Sequence, residues 1–213
     1  MSRAFRLGIT GKIGSGKSTL SQILRNDGIT VIDADTLAKD LMNSDESLQK
    51  EIEAVLGAEA YTENQINRTF IAQKIFTDAE LKSKLESIVH PATLREIMRE
   101  FDAAPPGSII ALESAILFQT GLEEIFDALV LVESSDENAI KRLISERKFS
   151  EADAKQRLGE QSYQKEWNDD ADFVIENNGD QAGFVKRAEE LVKIIKIISV
   201  QNLPTESLRS IIE

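Results

Sequence analysis

Residues 11–18, with the sequence GKIGSGKS, constrain the fold of this chain more than any other stretch. They fit the spacing of a phosphate-binding loop, in which glycines occupy the first and sixth positions and Lys-Ser follows. Glycines here let the backbone approach an anion closely and adopt dihedral angles that other residues avoid. An apolar run over 5–10 predicts a strand before the loop, and helical spacing after it ends at NDG, residues 26–28. A glycine-rich turn that binds nothing is the alternative, but this order of strand, loop and helix favours a polyphosphate site.

Lys17 and Ser18 add the charge and the metal ligand that the glycines lack. Lys17 supplies a positive charge for the β- and γ-phosphates, and the hydroxyl of Ser18 can bind a magnesium ion that bridges them. Both residues begin a predicted helix, whose N-terminal dipole favours an anion at the same point. The octet therefore predicts a magnesium-dependent polyphosphate site.

The composition fits one α/β core with an insertion, because 213 residues with 41% hydrophobic content can bury such a core. The chain has no cysteine, which excludes disulfides and thiolate metal sites and suits the cytoplasmic location that we expect. A net charge of -12 argues against non-specific nucleic-acid binding. We expect no signal peptide and no membrane span, since no apolar run is long enough. Basic residues collect at the loop and between residues 141 and 165, where a polyphosphate would need them.

Acidic residues directly follow two predicted strands. Asp33 comes after the β-branched run at 29–32, and Glu113 comes after the apolar run at 108–112. Ligands of open α/β sheets lie beyond the carboxyl ends of the strands, so Asp33 is a candidate base for an attacking hydroxyl. Glu113 is a candidate ligand of magnesium, directly or through water, or of the acceptor, with a helix cap as the alternative. Asp35, in preference to Asp33, is expected to cap the next helix.

Helical spacing dominates from about residue 42 to 104 and strand signals are absent, which predicts an inserted helical subdomain. Insertions at this place lie over the ligand crevice and are natural sites for a second substrate. Asn67-Arg68 opens one predicted helix, and His90-Pro91 is predicted to join two others, with Pro91 in a first turn and Arg95 one turn on. For His90, the only histidine in the sequence, a structural role at a helix end is the alternative.

The last third of the chain predicts the rest of the sheet and a charged helical hairpin. A helical turn is expected over 115–119 and strands over 128–132 and 172–176, and Ser134 with Glu137 forms a capping box. The hairpin carries Lys141, Arg142, Arg147, Lys148, Lys155, Arg157 and Lys165. Such a hairpin is either a solvated face or a lid that closes over a triphosphate. The sequence NNG at 177–179 is placed to contact an adenine ring, and an amphipathic helix from 181 covers the sheet.

These motifs together resemble the dephospho-CoA kinase family over residues 7 to about 180. The matching stretches in chain order are 8–11 with 13–19, 31–35, Asn67-Arg68 with Phe76, His90-Pro91 with Arg95, Leu117-Phe118, Arg157 with Gln161, and 171–175 with 177–179. The loop alone fits many proteins, whereas Asp-Ala-Asp, His-Pro and Asn-Asn-Gly in this order are far more selective.

The resemblance implies that ATP phosphorylates the ribose 3′-hydroxyl of dephospho-CoA, the last step of CoA synthesis, with Mg²⁺ as a further cofactor. The expected fold is of the α/β class, a three-layer P-loop NTPase type with a central five-stranded parallel sheet, a helical substrate insert and a helical lid. Its nucleotide-binding core would comprise 1–35, 105–136 and 168–200. The acceptor domain would be 36–104, the lid 137–167 and the C-terminal tail 201–213.

The resemblance also implies roles for individual residues. Asp33 would be the catalytic base, assisted by Lys17 and by the lid arginine Arg142. ATP would bind Gly11, Ile13, Gly14, Ser15, Gly16, Lys17, Ser18, Thr19, Arg142, Asn177 and Gly179. The acceptor would bind Asp33, Asp35, Arg68, His90, Arg95 and Glu113, and magnesium would bind Ser18 and Glu113. We expect a monomer or weak homo-oligomer with no nucleic-acid or membrane partner.

Several positions depart from the family pattern. Lys12 replaces a glycine, and its charge either helps phosphate binding or crowds the loop. Ala115 and Gln119 replace a proline and a glutamate, so a carboxylate is missing near the acceptor. Glu146 replaces a second lid arginine, and Arg147 follows about 100° further around the helix, so it reaches the phosphates only if the helix ends there. Two further arginines are replaced, by Gln164 and Trp167.

Three other functions fit parts of the sequence. Another small-molecule or nucleotide kinase of the same architecture would hold a different acceptor on the helical insert. A GTP-binding switch is disfavoured, because Asn177–Asp180 lacks the lysine of Asn-Lys-x-Asp and the Asp-x-x-Gly at 180–183 lies past the sheet. A nucleotide-binding protein with weakened catalysis is conceivable because the lid is altered.

Overall fold

The computed structural model describes residues 3–63, 65–76, 78–115, 117, 122–159, 161 and 171–201. The chain divides into two compact units, one formed by Met1–Ile32 with Ala104–Glu213 and the other by Asp33–Ala103. Among the described residues, no helix has the length and apolar character needed to cross a membrane.

The part of the chain that the structure describes contains seven strands. In chain order they are β1 (Phe5–Thr10), β2 (Thr30–Asp33), β3 (Tyr61–Thr62), β4 (Gln65–Ile66), β5 (Ile109–Glu113), β6 (Ala128–Glu133) and β7 (Phe173–Glu176). All except β3 and β4 form the central five-stranded sheet. The order across the sheet is β2-β5-β1-β6-β7, and β1 pairs in parallel with both β5 and β6. Phe5 lies opposite Ile109, and Leu7 opposite Ala128. Because β1 is the middle strand, the loop that follows it starts at the centre of one sheet edge.

Of the residues with described structure, those in the unit that contains the sheet form four helices. They are α1 (Lys17–Asn26), α6 (Asp136–Arg147), α7 (Glu151–Gly159) and α8 (Gln181–Gln201), with a short 3-10 helix at Glu123–Ile125. Alternate strand residues form one buried cluster with α1 and α8, because each of these helices has an apolar stripe. The cluster includes Leu7, Ile9, Leu20, Leu24, Val130, Phe184, Leu191 and Ile195. This packing fixes the start of α1 against the sheet.

The second unit is helical, as the sequence pattern predicts. Its helices are α2 (Ala34–Ser44), α3 (Glu46–Leu56), α4 (Arg68–Phe76) and α5 (Ala79–Ala103), with a 3-10 turn at Ala58–Ala60. Their buried residues form one core of Leu48, Ile52, Leu56, Ala60, Ile71, Leu85, Val89 and Ala92. The strands β3 and β4 form a small antiparallel pair that the sequence pattern does not predict, because two residues are too few for an alternating pattern.

The predicted break at His90-Pro91 is wrong. Both residues lie inside the single helix α5. Proline removes the bond to the carbonyl of residue 87, four positions earlier, and that residue is exposed, so water can satisfy the carbonyl. Val89 and Ala92 on either side are buried, and this packing holds the helix together.

The predicted capping box is also wrong by one residue. Ser135 caps α6, and its side chain accepts a hydrogen bond from the backbone N-H of Asn138. Ser134 lies before the cap and has a different partner, described below.

Of the helical turn predicted over 115–119, the described residues include only Ala115 and Leu117. Gln119, Gln164, Lys165, Trp167 and the tail 202–213 lie outside them.

Candidate nucleotide-binding site

The loop between β1 and α1 adopts a backbone that requires its glycines. Gly14 and Gly16 have φ angles of 75° and 109°, in the left-handed region. A Cβ atom on Gly14 would also lie 2.8 Å from the carbonyl oxygen of Ala139, and one on Gly16 would collide with the side chain of Asn177. The prediction that these glycines adopt dihedral angles avoided by other residues therefore agrees with the geometry.

Side chains donate hydrogen bonds to the backbone carbonyl groups of the loop. The Lys17 ammonium donates to the carbonyls of Gly11 at 2.7 Å and Lys12 at 3.0 Å. Arg142 Nε donates to the Gly14 carbonyl at 2.8 Å, and Asn177 Nδ2 donates to the next one, that of Ser15, also at 2.8 Å. A trans peptide is planar, so each held carbonyl turns the following N-H in the opposite direction. These donors therefore set the direction of the loop's N-H groups.

Ser18 and Glu113, the two predicted magnesium ligands, lie together. The Ser18 hydroxyl donates to Glu113 Oε1 at 3.2 Å, and Glu113 is only 7% exposed at the end of β5. A hydroxyl and a carboxylate are the hard oxygen donors that Mg²⁺ prefers. Within the described ranges, no cluster of three or more His, Cys, Asp or Glu could hold a metal. The donor set therefore fits an ion whose other ligands would be phosphate oxygens and water.

Asp33, the predicted base, is the N-cap of α2. Its Oδ1 accepts a hydrogen bond from the backbone N-H of Thr36 at 2.9 Å. Asp35, predicted to be the cap, instead lies exposed in the first turn of the helix. That part of the prediction is wrong because α2 already begins at Ala34, so the residue with extended backbone that precedes it, Asp33, is the cap. The cap bond fixes the orientation of the Asp33 carboxylate.

Arg142, the predicted lid arginine, donates to backbone and hydroxyl oxygens on three segments. Besides the Gly14 carbonyl, Nη1 and Nη2 donate to the Asn177 carbonyl at 3.2 Å, and Nη2 also donates to the Ser134 hydroxyl. Burial lowers the pKa of this guanidinium, while the carboxylate of Glu146 opposes that shift. Arginine stays charged despite such a shift. In this conformation Arg142 joins the loop to the ends of β6 and β7.

Asn177 is buried behind the loop. It is 6% exposed, and its side chain donates to the Ser15 carbonyl of the loop. Its backbone N-H donates to the Glu133 carbonyl at 2.7 Å. Asn178 Oδ1 accepts from the Ser135 N-H at 2.7 Å, and Gly179 is exposed. The turn predicted to contact adenine therefore uses its first two side chains to support the loop and the start of α6.

Comparison with known proteins identifies the family. The model of the dephospho-CoA kinase family matches residues 5–183. A dephospho-CoA kinase of Corynebacterium diphtheriae is 34% identical over 188 residues, which cover 87% of this chain and 94% of the relative. This chain belongs to the dephospho-CoA kinase family. A dephospho-CoA kinase of Geobacillus kaustophilus is likewise 34% identical over 176 residues, with 81% of this chain and 88% of the relative covered.

Solved structures agree with this membership. The crystal structure of the Thermus thermophilus protein TT1252 has a TM-score of 0.78 and 30% identity, and covers 90% of this chain and 97% of its own. Shikimate kinase from Acinetobacter baumannii has a TM-score of 0.51 at 16% identity, covering 94% of this chain and 96% of its own. At 16% identity, the similarity to shikimate kinase shows the fold alone. The predicted fold, a central five-stranded parallel sheet of the P-loop kinase type, is confirmed.

The residues that the dephospho-CoA kinase resemblance assigns to the acceptor lie mostly in the helical unit. Arg68 is the exposed first residue of α4, which Asn67 caps by accepting from the Phe70 N-H at 3.1 Å. His90 and Arg95 are exposed on α5. His90 lies in mid-helix, so the alternative of a histidine at a helix end is wrong.

The hairpin of α6 and α7 packs on the first half of the loop. Lys12, the departure from the family glycine, forms an ion pair with Asp136 at 3.0 Å. Arg157 lies over the Phe149 ring, with Cζ 4.9 Å from the ring centroid. Arg147 is shifted by one position from the family arginine, so it was expected to reach the phosphates only if the helix ended there. Helix α6 does end at Arg147. The Lys12 charge is thus directed to the first turn of α6.

Two supporting residues were not predicted as site residues. Ser134 accepts a bond from Arg142, but its sequence context suggested only a cap. Gln161 appeared only as part of a family motif, and it accepts a hydrogen bond from the loop N-H of Ile13 at 2.8 Å. Local sequence carries no signal for the Gln161 contact, because Ile13 lies 148 residues away. Ser134 and Arg142 are eight residues apart, which is outside the spacing of a capping motif.

Proposed function

We propose that this kinase transfers the γ-phosphoryl group of ATP to the ribose 3′-hydroxyl of dephospho-CoA and releases CoA and ADP. The observation that carries the proposal is the loop itself, whose carbonyls are held by Lys17, Arg142 and Asn177 beside the pair of Ser18 and Glu113. A loop with this geometry presents N-H groups to an anion. Family membership supports the choice of substrates.

On this proposal, each loop residue has a defined task toward ATP. Gly11 and residues 13–19 line the phosphates, and Lys17 leaves the loop carbonyls to contact the β- and γ-phosphates. Ser18 and Glu113 would hold Mg²⁺, Glu113 directly or through water, and the bound ion would supply positive charge beside the phosphate oxygens. Asn177 supports the loop, and exposed Gly179 lies in the turn proposed to contact adenine.

Asp33 is the proposed base. One of its oxygens, Oδ1, is used as the cap of α2, so we assign the proton transfer to Oδ2. This atom accepts the proton of the ribose 3′-hydroxyl while that oxygen attacks the γ-phosphorus. The bond between the γ-phosphorus and the bridging oxygen breaks, and ADP leaves with the electron pair.

The helical unit is proposed to be the acceptor domain, with Asp35, Arg68, His90 and Arg95 binding dephospho-CoA together with Asp33 and Glu113. Positive side chains suit the phosphate groups of dephospho-CoA.

The hairpin over 137–167 is the proposed lid, in which Arg142 contacts the moving phosphoryl group only by releasing one of its present acceptors. We further propose a cytoplasmic protein that is a monomer or a weak homo-oligomer.

The deciding experiment measures ADP release with ATP and Mg²⁺ in the presence of different acceptors. We expect release only with dephospho-CoA, and phosphate on the 3′-oxygen of the product by ³¹P NMR. Equal release with AMP, pantetheine phosphate or water alone would indicate another kinase or an ATPase. Lys17→Ala should weaken both ATP binding and turnover, because Lys17 contacts ATP before and during the reaction.

A further inference from the structure

Gln161 contacts the phosphate loop from the end of the hairpin. Its side-chain oxygen Oε1 accepts a hydrogen bond from the Ile13 N-H at 2.8 Å, across 148 residues of sequence. The position of Gln161 is set by its own N-H, which donates to the Leu158 carbonyl at 3.1 Å just after α7. This bond therefore connects the second lid helix to the third residue of the loop.

The side chain of Ile13 is held by the same hairpin. It packs against a buried cluster from both lid helices, made of Ala139, Leu143, Ala154 and Leu158. Gly14, the next residue, lies so close to α6 that an added Cβ would be 3.1 Å from Leu143 Cγ. Both the amide and the side chain of Ile13 are thus fixed by α6, α7 and the turn that follows them.

The bond to Gln161 also determines where the Lys12 carbonyl points. The N-H of Ile13 and the carbonyl of Lys12 belong to one planar peptide and point in opposite directions. With the N-H directed to Gln161, the carbonyl accepts from Lys17 Nζ at 3.0 Å and from the Ser15 N-H at 3.1 Å. Rotation of this peptide would break three hydrogen bonds at once, two of them inside the loop.

We propose that Gln161 is a positioning residue for ATP binding. By accepting the Ile13 N-H, it fixes the peptide between residues 12 and 13 and so holds the loop backbone in the arrangement that receives the polyphosphate. The hairpin is therefore part of the frame of the loop as well as a cover over it. This inference rests on the proposed function, because the polyphosphate is that of ATP.

The test replaces Gln161 with leucine, which has a similar size and no acceptor. Amide exchange of Ile13, followed by NMR without ligand, should be at least several-fold faster in Gln161→Leu than in the wild type. The dissociation constant for ATP with Mg²⁺, measured by calorimetry, should rise about 2- to 10-fold, the factor that one ordinary hydrogen bond supplies. The KM for dephospho-CoA should stay unchanged and kcat should stay within about twofold.

Two further variants separate positioning from a general loss of structure. Gln161→Glu keeps an acceptor for the Ile13 N-H and should restore its slow exchange. Gln22→Leu makes the same replacement at an exposed glutamine of α1 that bonds Asn26, and should leave Ile13 exchange and ATP binding unchanged. Unchanged Ile13 exchange in Gln161→Leu would overturn the proposal, and so would ATP binding that is equal or tighter. Both measurements omit the acceptor, so they decide the role of Gln161 even if dephospho-CoA proves not to be the substrate.

Discussion

Replacement of Arg142 by lysine tests whether this residue anchors the loop. The guanidinium reaches the Gly14 carbonyl at 2.8 Å through Nε and the Asn177 carbonyl at 3.2 Å through both Nη atoms, and Nη2 also reaches Ser134. A lysine keeps the positive charge, but its single ammonium on a flexible stem cannot span three separate acceptors. Arg142→Lys therefore changes the geometry and leaves the charge in place.

The size of the effect follows from the acceptors that are left unpaired. Asn177 and Ser134 are only 6% and 8% exposed, so water replaces the lost donor poorly. An unpaired buried acceptor costs about 1–3 kcal/mol, so the loss of two of the three gives about 2–6 kcal/mol. For a chain of this size, at about 2–4 °C per kcal/mol, that corresponds to a fall in Tm of about 4–24 °C. The freed Gly14 peptide should also weaken ATP binding by about tenfold or more.

The assay combines thermal unfolding, followed by circular dichroism, with calorimetric titration of ATP. Arg147→Lys is the matched control for stability, because Arg147 is the exposed last residue of the same helix, and its Tm should stay within about 1 °C of the wild type. A Tm equal to the wild type in Arg142→Lys, together with unchanged ATP affinity and a kcat reduced 100-fold, would refute the anchoring role. That result would instead match the catalytic role that the family resemblance implies.

Three other substitutions test the chemistry and the fold. Asp33→Asn keeps a cap for α2 and should leave Tm and ATP affinity nearly unchanged, while kcat falls by about 10²–10⁴ because the base is lost. Retained turnover would exclude Asp33 as the base. Glu113→Gln keeps an acceptor for Ser18 but loses the charge, so half-maximal activity should require several-fold more Mg²⁺; an unchanged requirement would exclude Glu113 as a ligand. Burial raises the pKa of Tyr61 to about 12 from 10.0, so the folded state holds this proton more tightly than the unfolded one. The stability that Tyr61 contributes is then complete below pH 10 and decreases as the pH rises to 12. Urea unfolding should show that the free energy of unfolding decreases less between pH 9 and pH 11 in Tyr61→Phe than in the wild type.

Sequence patterns predicted the parts of the site that depend on short stretches. The glycines, Lys17 and Ser18 are adjacent in the chain, and their geometry follows from one strand, one turn and one helix start. Glu113 could be predicted as a candidate site residue from its position at a strand end, because parallel strands end at the same sheet edge. Its contact with Ser18 is consistent with that reasoning.

The wrong predictions come from places where two local solutions are nearly equivalent. Ser134 and Ser135 both precede α6, and Asp33 and Asp35 both precede or begin α2, so either member of each pair could have been the cap. The backbone angles at the end of the preceding strand decide between them. At Pro91 the local rule was overridden, because burial on both sides of the proline outweighs one lost hydrogen bond at an exposed carbonyl.

The glycine pattern allows the loop to form but does not determine which way its peptides point. That direction comes from Arg142, Gln161 and Asn177, which bond to the loop from 128, 148 and 162 residues away. The same octet without these partners would be the glycine-rich turn that the sequence alone could not exclude. The Lys12 side chain follows the same principle, because its ion pair with Asp136 turns the extra charge toward α6 and makes it one more contact between loop and hairpin. A departure from the family glycine at position 12 is therefore compatible with a phosphate-binding loop.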